Sequence, residues 1–164
     1  MASATVIDSL EFAHTGQELQ GTVSVTQLTR LADSLFDAAG SLKYRLLGGH
    51  DARQRPRLKL SVEGEINLKC QRCLGSLRYA LAVESSLLVL TAGGSDEAAE
   101  IEDLDGIPAD AHANVWALVE DEVLLAIPFA PRHAEGSCNT AVKGTDDRAA
   151  SPFAVLAGLK RDRI

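Results

Sequence analysis

The stretch RQRPRLKLSVEGEINLK, Arg53 to Lys69, decides the fold. Leu58, Leu60, Val62, Ile66 and Leu68 fall on even positions, while Arg53, Arg55, Arg57, Lys59, Glu63, Glu65, Asn67 and Lys69 fall on odd ones. Successive side chains of a strand point to opposite faces, so this period of two predicts one long strand with a dry and a wet face. On this reading Arg53, Arg55, Arg57 and Lys59 face solvent together. The neighbours repeat the pattern. Leu42, Tyr44 and Leu46 alternate with Lys43 and Arg45 before the turn-like Gly48-Gly-His-Asp-Ala, and Leu77, Tyr79, Leu81 and Val83 alternate with Arg78 and Glu84. The simplest arrangement is an antiparallel hairpin with Cys70 and Cys73 near its connection.

Further out, the pattern changes. Thr22 to Val25 reads as a short strand, and Thr26 as the cap of a helix over residues 27–37, with Leu28, Leu31, Ala32 and Leu35 at helical spacing and Gly40 as its end. Residues 1–21 are weakly patterned, and 91–111 reads as a Gly-rich acidic loop. From Ala113 to Ile127 the apolar positions Trp116, Val119, Val123 and Ile127 form one helical stripe, stopped by Pro128 and Pro131. Residues 134–150 have linker composition. Ser151-Pro-Phe then opens a short helix, with Ser as cap and Pro in the first turn. The expected fold is α+β, an antiparallel sheet of several strands packed with two main helices, plus a short C-terminal helix. The expected organisation is one domain over 1–133, a linker over 134–150 and a helical tail over 151–164.

Charge is segregated. Lys43 to Arg78 holds nine Lys or Arg and three acids, whereas Tyr79 to Pro131 holds eleven acids and no Lys or Arg. The net charge of −7 argues against indiscriminate coating of nucleic acid but allows a local basic surface. Lys43, Arg45, Arg53, Arg55, Arg57, Lys59, Arg72 and Arg78 form the candidate nucleic-acid set, since rows of Lys and Arg suit phosphate contacts. Tyr44 and Tyr79 lie on the apolar phase of their strands, so base stacking is not indicated; an ordinary solvated face, or one covered by the chain's own acids, is the competing reading. No apolar run is long enough to span a bilayer. Met1-Ala-Ser-Ala-Thr has neither the basic region nor the apolar core of a secretory signal, so a cytoplasmic location is expected.

Three cysteines argue against a disulfide framework. A Cys-x-x-Cys turn brings two thiolates within reach of one zinc ion, and His133 and Cys138 are the natural further ligands. A dithiol redox site would sit at a helix N-terminus after a buried parallel strand, unlike this one. Packing of Cys70 on the buried face of its strand, with Cys73 near the turn, is the other reading. Glu120, Asp121 and Glu122 are consecutive, point about 100° apart on a helix and do not converge on one ion. They read as salt-bridging or capping groups, or as a partner surface. No catalytic set is visible, so no enzymatic activity is expected.

Three motifs carry a family resemblance: LKCQRCL at 68–74, LVEDEVLLAIP at 118–128 and SPFAVLAGLKR at 151–161. In this order and spacing the chain resembles the YceD family, the large ribosomal RNA subunit accumulation proteins. The resemblance implies a non-enzymatic cytoplasmic factor needed for normal levels of large-subunit (23S) ribosomal RNA. Its partners would be that RNA, a pre-ribosomal particle or ribosomal proteins; the alternative is a protein adaptor without RNA contact. Some members carry a second cysteine pair after a Pro-x-x-Pro region, where this chain has only Cys138, five residues after His133. Phe153, Leu156, Leu159, Lys160 and Arg161 join the acidic helix as candidate partner-binding residues. So short a helix needs a surface to hold it, either on its own domain or on the particle. The tail is expected to matter more for function than for stability.

Overall fold

The computed structural model describes residues 5–91 and 105–138. Strand β4 (Pro56–Lys69) buries Leu58, Leu60, Val62, Ile66 and Leu68 on one face, as the alternation requires. It pairs antiparallel with β3 (Ser41–His50) and with β5 (Ser76–Leu90). β2 (Glu18–Ser24) lies beyond β3, and β6 (Gly106–Pro108) runs parallel to the end of β5, giving the order β2-β3-β4-β5-β6. A small ladder joins β1 (Val6–Ile7) to β7 (Ala113–Asn114). Helices α1 (Ser9–Thr15) and α2 (Val115–Ala126) contribute Phe12, Ala13, Val115, Val119 and Val123 to the core formed with the apolar side of the sheet. This is the expected α+β architecture. No helix among the described residues is long and apolar enough to cross a membrane. The expected C-terminal helix lies outside the described residues.

Three expectations need correction. The helix over 27–37 is absent; two 3₁₀ turns, Val25–Gln27 and Thr29–Leu31, stand in its place. Leu28, Leu31 and Leu35 are nevertheless buried. β3 leaves β4 at Gly64, so the remaining edge of β4 needs partners, and residues 34–36 supply them: Phe36 N donates to Asn67 O and Lys69 N to Ser34 O. That pairing uses backbone groups a helix would have kept for itself.

The second correction concerns the start of β4. Asp51 accepts from the backbone N–H groups of Arg53 (2.8 Å) and Arg55 (2.9 Å) and from Arg55 Nε (2.6 Å), and Gln54 adopts φ 62°. This Asx-type turn takes Arg53 and Arg55 out of the strand, which begins at Pro56. The Arg55 hydrogen bonds, offset in part by desolvation, hold the Asp51 carboxyl below its ordinary range. Third, the weakly patterned N-terminus holds α1. Asp8 accepts from Leu10 N and Glu11 N, and Gly16 closes the helix at φ 63°.

α1 approaches β3 at Gly48, whose amide also donates to Gln17 O at 2.8 Å. A Cβ on Gly48 would sit 2.0 Å from the backbone oxygen of Phe12. Gly48→Ala is therefore expected to push α1 off the sheet and to cost on the order of 1–3 kcal/mol in urea unfolding. An unchanged midpoint would show that this approach is not tight in solution.

Candidate metal centre

The connection between β4 and β5 is a tight turn over residues 70–75. Leu74 N donates to Cys70 O (2.9 Å), Cys70 N donates to Gly75 O (3.0 Å), and Leu74 takes the left-handed conformation at φ 59°. The turn brings Cys70 and Cys73 together, and Cys70 is fully buried. The other two groups arrive from the chain after α2. Pro128 and Pro131 follow the helix, and Pro131 O accepts from Gln71 N at 2.8 Å, so the returning segment is tied to the hairpin tip. His133 and Cys138 follow on this segment.

The four ligand atoms lie within 4.8 Å of one another. Cys70 Sγ is 3.8 Å from Cys138 Sγ, and His133 Nδ1 is 3.4 Å from Cys73 Sγ and 3.6 Å from Cys138 Sγ. Bonds of about 2.3 Å to sulfur and 2.0–2.1 Å to nitrogen around a tetrahedral zinc ion imply edges of roughly 3.8 Å between sulfurs and 3.5–3.6 Å from sulfur to nitrogen. The distances fit. The histidine is oriented for the same task. Its Nε2 lies 2.9 Å from Ser76 O, so Nε2 carries the proton and the Nδ1 lone pair faces the thiols.

The electrostatics point the same way. Burial pushes the Cys70 thiol up, but hydrogen bonds from the backbone of Cys73, His133 and Arg72 outweigh it and carry the pKa down to about 5. For Cys138, burial is likewise outweighed, chiefly by the hydrogen bond from Arg72, with the contact to His133 adding to it, and the thiol lies below its ordinary value. Cys73 gains from the Gly75 N–H, yet burial and the neighbouring Cys138 and Cys70 drive it up. His133 is raised, chiefly by its hydrogen bond to Cys138. Three sulfurs this close repel one another as thiolates, and a cation in their midst relieves that repulsion.

Arg72 is placed differently from its expected role on a nucleic-acid face. Its Nε donates to Cys138 Sγ at 3.0 Å and its NH2 group to the carbonyls of His133 and Ala134, both at 3.2 Å. It binds the returning segment and offsets thiolate charge. The sequence signal was its position inside the Cys-x-x-Cys turn.

Lys43, Arg45, Lys59 and Arg78 do share the outer face of the sheet, but acids share it too. Arg45 pairs with Glu18 at 2.7 Å, Arg78 lies 3.7 Å from Glu65, and Lys43 stands opposite Glu63. Arg57 is half-buried, Arg55 half-buried in the turn, and Arg53 exposed there. A depression of about 490 Å³ between Lys43, Arg45, Glu63 and Glu84 marks this face. Tyr44 is buried on the opposite side, packed over Gly21. Of the acidic helix residues, Glu120 and Glu122 are buried and bonded within the molecule, Glu120 to Arg30 and Leu31 and Glu122 to the Ser85 hydroxyl; Asp121 is half exposed and bound by Arg30. Phe153, Leu156, Leu159, Lys160 and Arg161 lie outside the described residues.

Sheet, capping helices and tip cluster together define an α+β protein with a Cys₃His ligand set closing its longest hairpin. Residues 58–160 match the family model described as Large ribosomal RNA subunit accumulation protein YceD. The chain is also similar to the Large ribosomal RNA subunit accumulation protein YceD of Haemophilus influenzae, 26% identical over 164 aligned residues covering 94% of each chain. No solved structure matches. The chain belongs to the YceD family.

Proposed function

We propose that this chain is a non-enzymatic cytoplasmic factor that supports accumulation of the large-subunit (23S) ribosomal RNA, through contact with that RNA or with proteins of the pre-ribosomal particle. The observation that carries the reading is the family match over 58–160, joined by near full-length similarity to a relative that bears this role in its name. Cys70, Cys73, His133 and Cys138 bind Zn²⁺ as a structural centre: all four positions are protein side chains, and the ion would fasten the segment after α2 to the hairpin tip. RNA contact would use the outer-face cations Lys43, Lys59 and Arg45. The acids beside them favour the second reading, an adaptor that touches only protein.

Depleting the protein in its host is expected to lower the ratio of large- to small-subunit ribosomal RNA; an unchanged ratio would overturn the role. Salt separates the two modes. Direct binding to a large-subunit RNA transcript through two or three phosphates should give a log–log salt slope of about −2. Co-sedimentation with precursor particles without any affinity for the naked transcript would favour the adaptor.

A further inference from the structure

The end of α2 carries an apolar surface that the tip cluster does not use. Leu125 is 77% exposed and Phe129 fully exposed. Beside them Ser34, Leu124, Ile127, Pro128 and Phe129 line a groove of about 360 Å³. From Val123 to Pro131 the chain has no charged residue, and Ser34 is the groove's only polar lining residue. Phe129, exposed in the groove wall, and Leu125, exposed next to the lining residue Leu124, mark a docking surface. RNA does not fit it, because no cation lines it.

We propose that the occupant is the chain's own C-terminal segment, Ser151 to Leu159, with Phe153, Leu156 and Leu159 set into the groove around Leu125 and Phe129. Three observations select it. Those three residues recur at i, i+3 and i+6, the spacing of one helix face. So short a helix is marginal alone and needs an apolar partner. The tether also suits. Cys138 is held at the hairpin tip nine residues after Phe129, and twelve residues separate it from Ser151. At about 3.3–3.6 Å per extended residue the tether reaches roughly 40 Å. A tether of this length gives an effective concentration in about the millimolar range, which a second copy would have to match in solution. The family match spans the groove residues of 124–129 and the tail in one unit.

The test uses the full chain with Leu125 replaced by the photoreactive p-benzoylphenylalanine. Illumination is expected to give a cross-link within one chain, mapped by mass spectrometry to residues 151–159. Phe153→Ser should reduce its yield roughly tenfold, as expected for loss of a docked local state. Hydrogen exchange gives a second reading: Phe129→Ser should speed amide exchange over 153–159 while leaving β4 unchanged. Cross-links joining two copies would replace the tail by a second molecule and overturn the proposal. So would products that exclude the tail, or a yield indifferent to Phe153→Ser.

Discussion

Replacing Cys70 with serine is expected to empty the tip centre and lower the melting temperature by on the order of 10 °C. Cys70 is wholly buried, is shaped as a ligand by three backbone hydrogen bonds, and sits where β4 ends. A serine hydroxyl is a poor zinc ligand, and without an ion the segment carrying His133 and Cys138 is left to the Gln71–Pro131, His133–Ser76 and Arg72 hydrogen bonds. Cys138→Ser should be milder, because three of the four ligands remain. Arg72→Ala should retain the metal with affinity lowered about 10–100-fold, the usual consequence of losing a group that supports a ligand. Elemental analysis, with about one zinc per chain in the parent, and calorimetry read all three variants. A parent protein that carries no metal, and melts as before after Cys70→Ser, would leave packing as the whole explanation of the cysteines.

Glu120→Ala is expected to cost about 3 kcal/mol in chemical denaturation. The carboxylate is 7% exposed and accepts from Arg30 N (2.6 Å), Leu31 N (3.3 Å) and Arg30 Nε (2.9 Å). It thus satisfies the N-terminal amides of the Thr29–Leu31 turn and binds that turn to α2. Alanine leaves those donors without the acceptor they now share. Glu120→Gln keeps an amide oxygen for them and should cost only about 1 kcal/mol. Asp121→Ala removes an exposed partner of the same guanidinium and should change stability by less than about 0.5 kcal/mol. Equal losses for alanine and glutamine would show that charge, rather than satisfaction of the turn, holds the two parts together.

Strong periodicity made the sheet legible. The even-position apolar residues of β4 cannot be placed on any other element without exposing them, and β3 and β5 repeat the pattern. α2 was legible for the same reason, together with its two terminating prolines. Around Leu28, Leu31 and Leu35 the pattern does not separate the two outcomes, because i, i+3 spacing suits a 3₁₀ turn as well as an α-helix. What decided between them was the bare edge of β4 beyond Gly64, which no local pattern discloses. α1 left only faint marks, an Asp at position 8 and a Gly at position 16, around a seven-residue helix. At the tip, spacing located two ligands and composition suggested the other two. Their convergence depends on a contact between residues 71 and 131, as does the inward turn of Arg72. The outer-face cations were legible as a row, but the acids that join them come from β2, β4 and β5 as the sheet is assembled.

The ladder from β2 to β5 places strands side by side in the order in which they are synthesised. Folding during translation proceeds from the N-terminus, so this part of the sheet can form while the rest of the chain is still being made. Its tip then presents Cys70 and Cys73 as an unfilled thiol pair. Closure has to wait for His133 and Cys138, which emerge only after α2 is complete. Metal capture at this site would therefore come late, as a timestamp on a finished body, and a chain stalled before position 133 could fold much of its sheet yet never seal it.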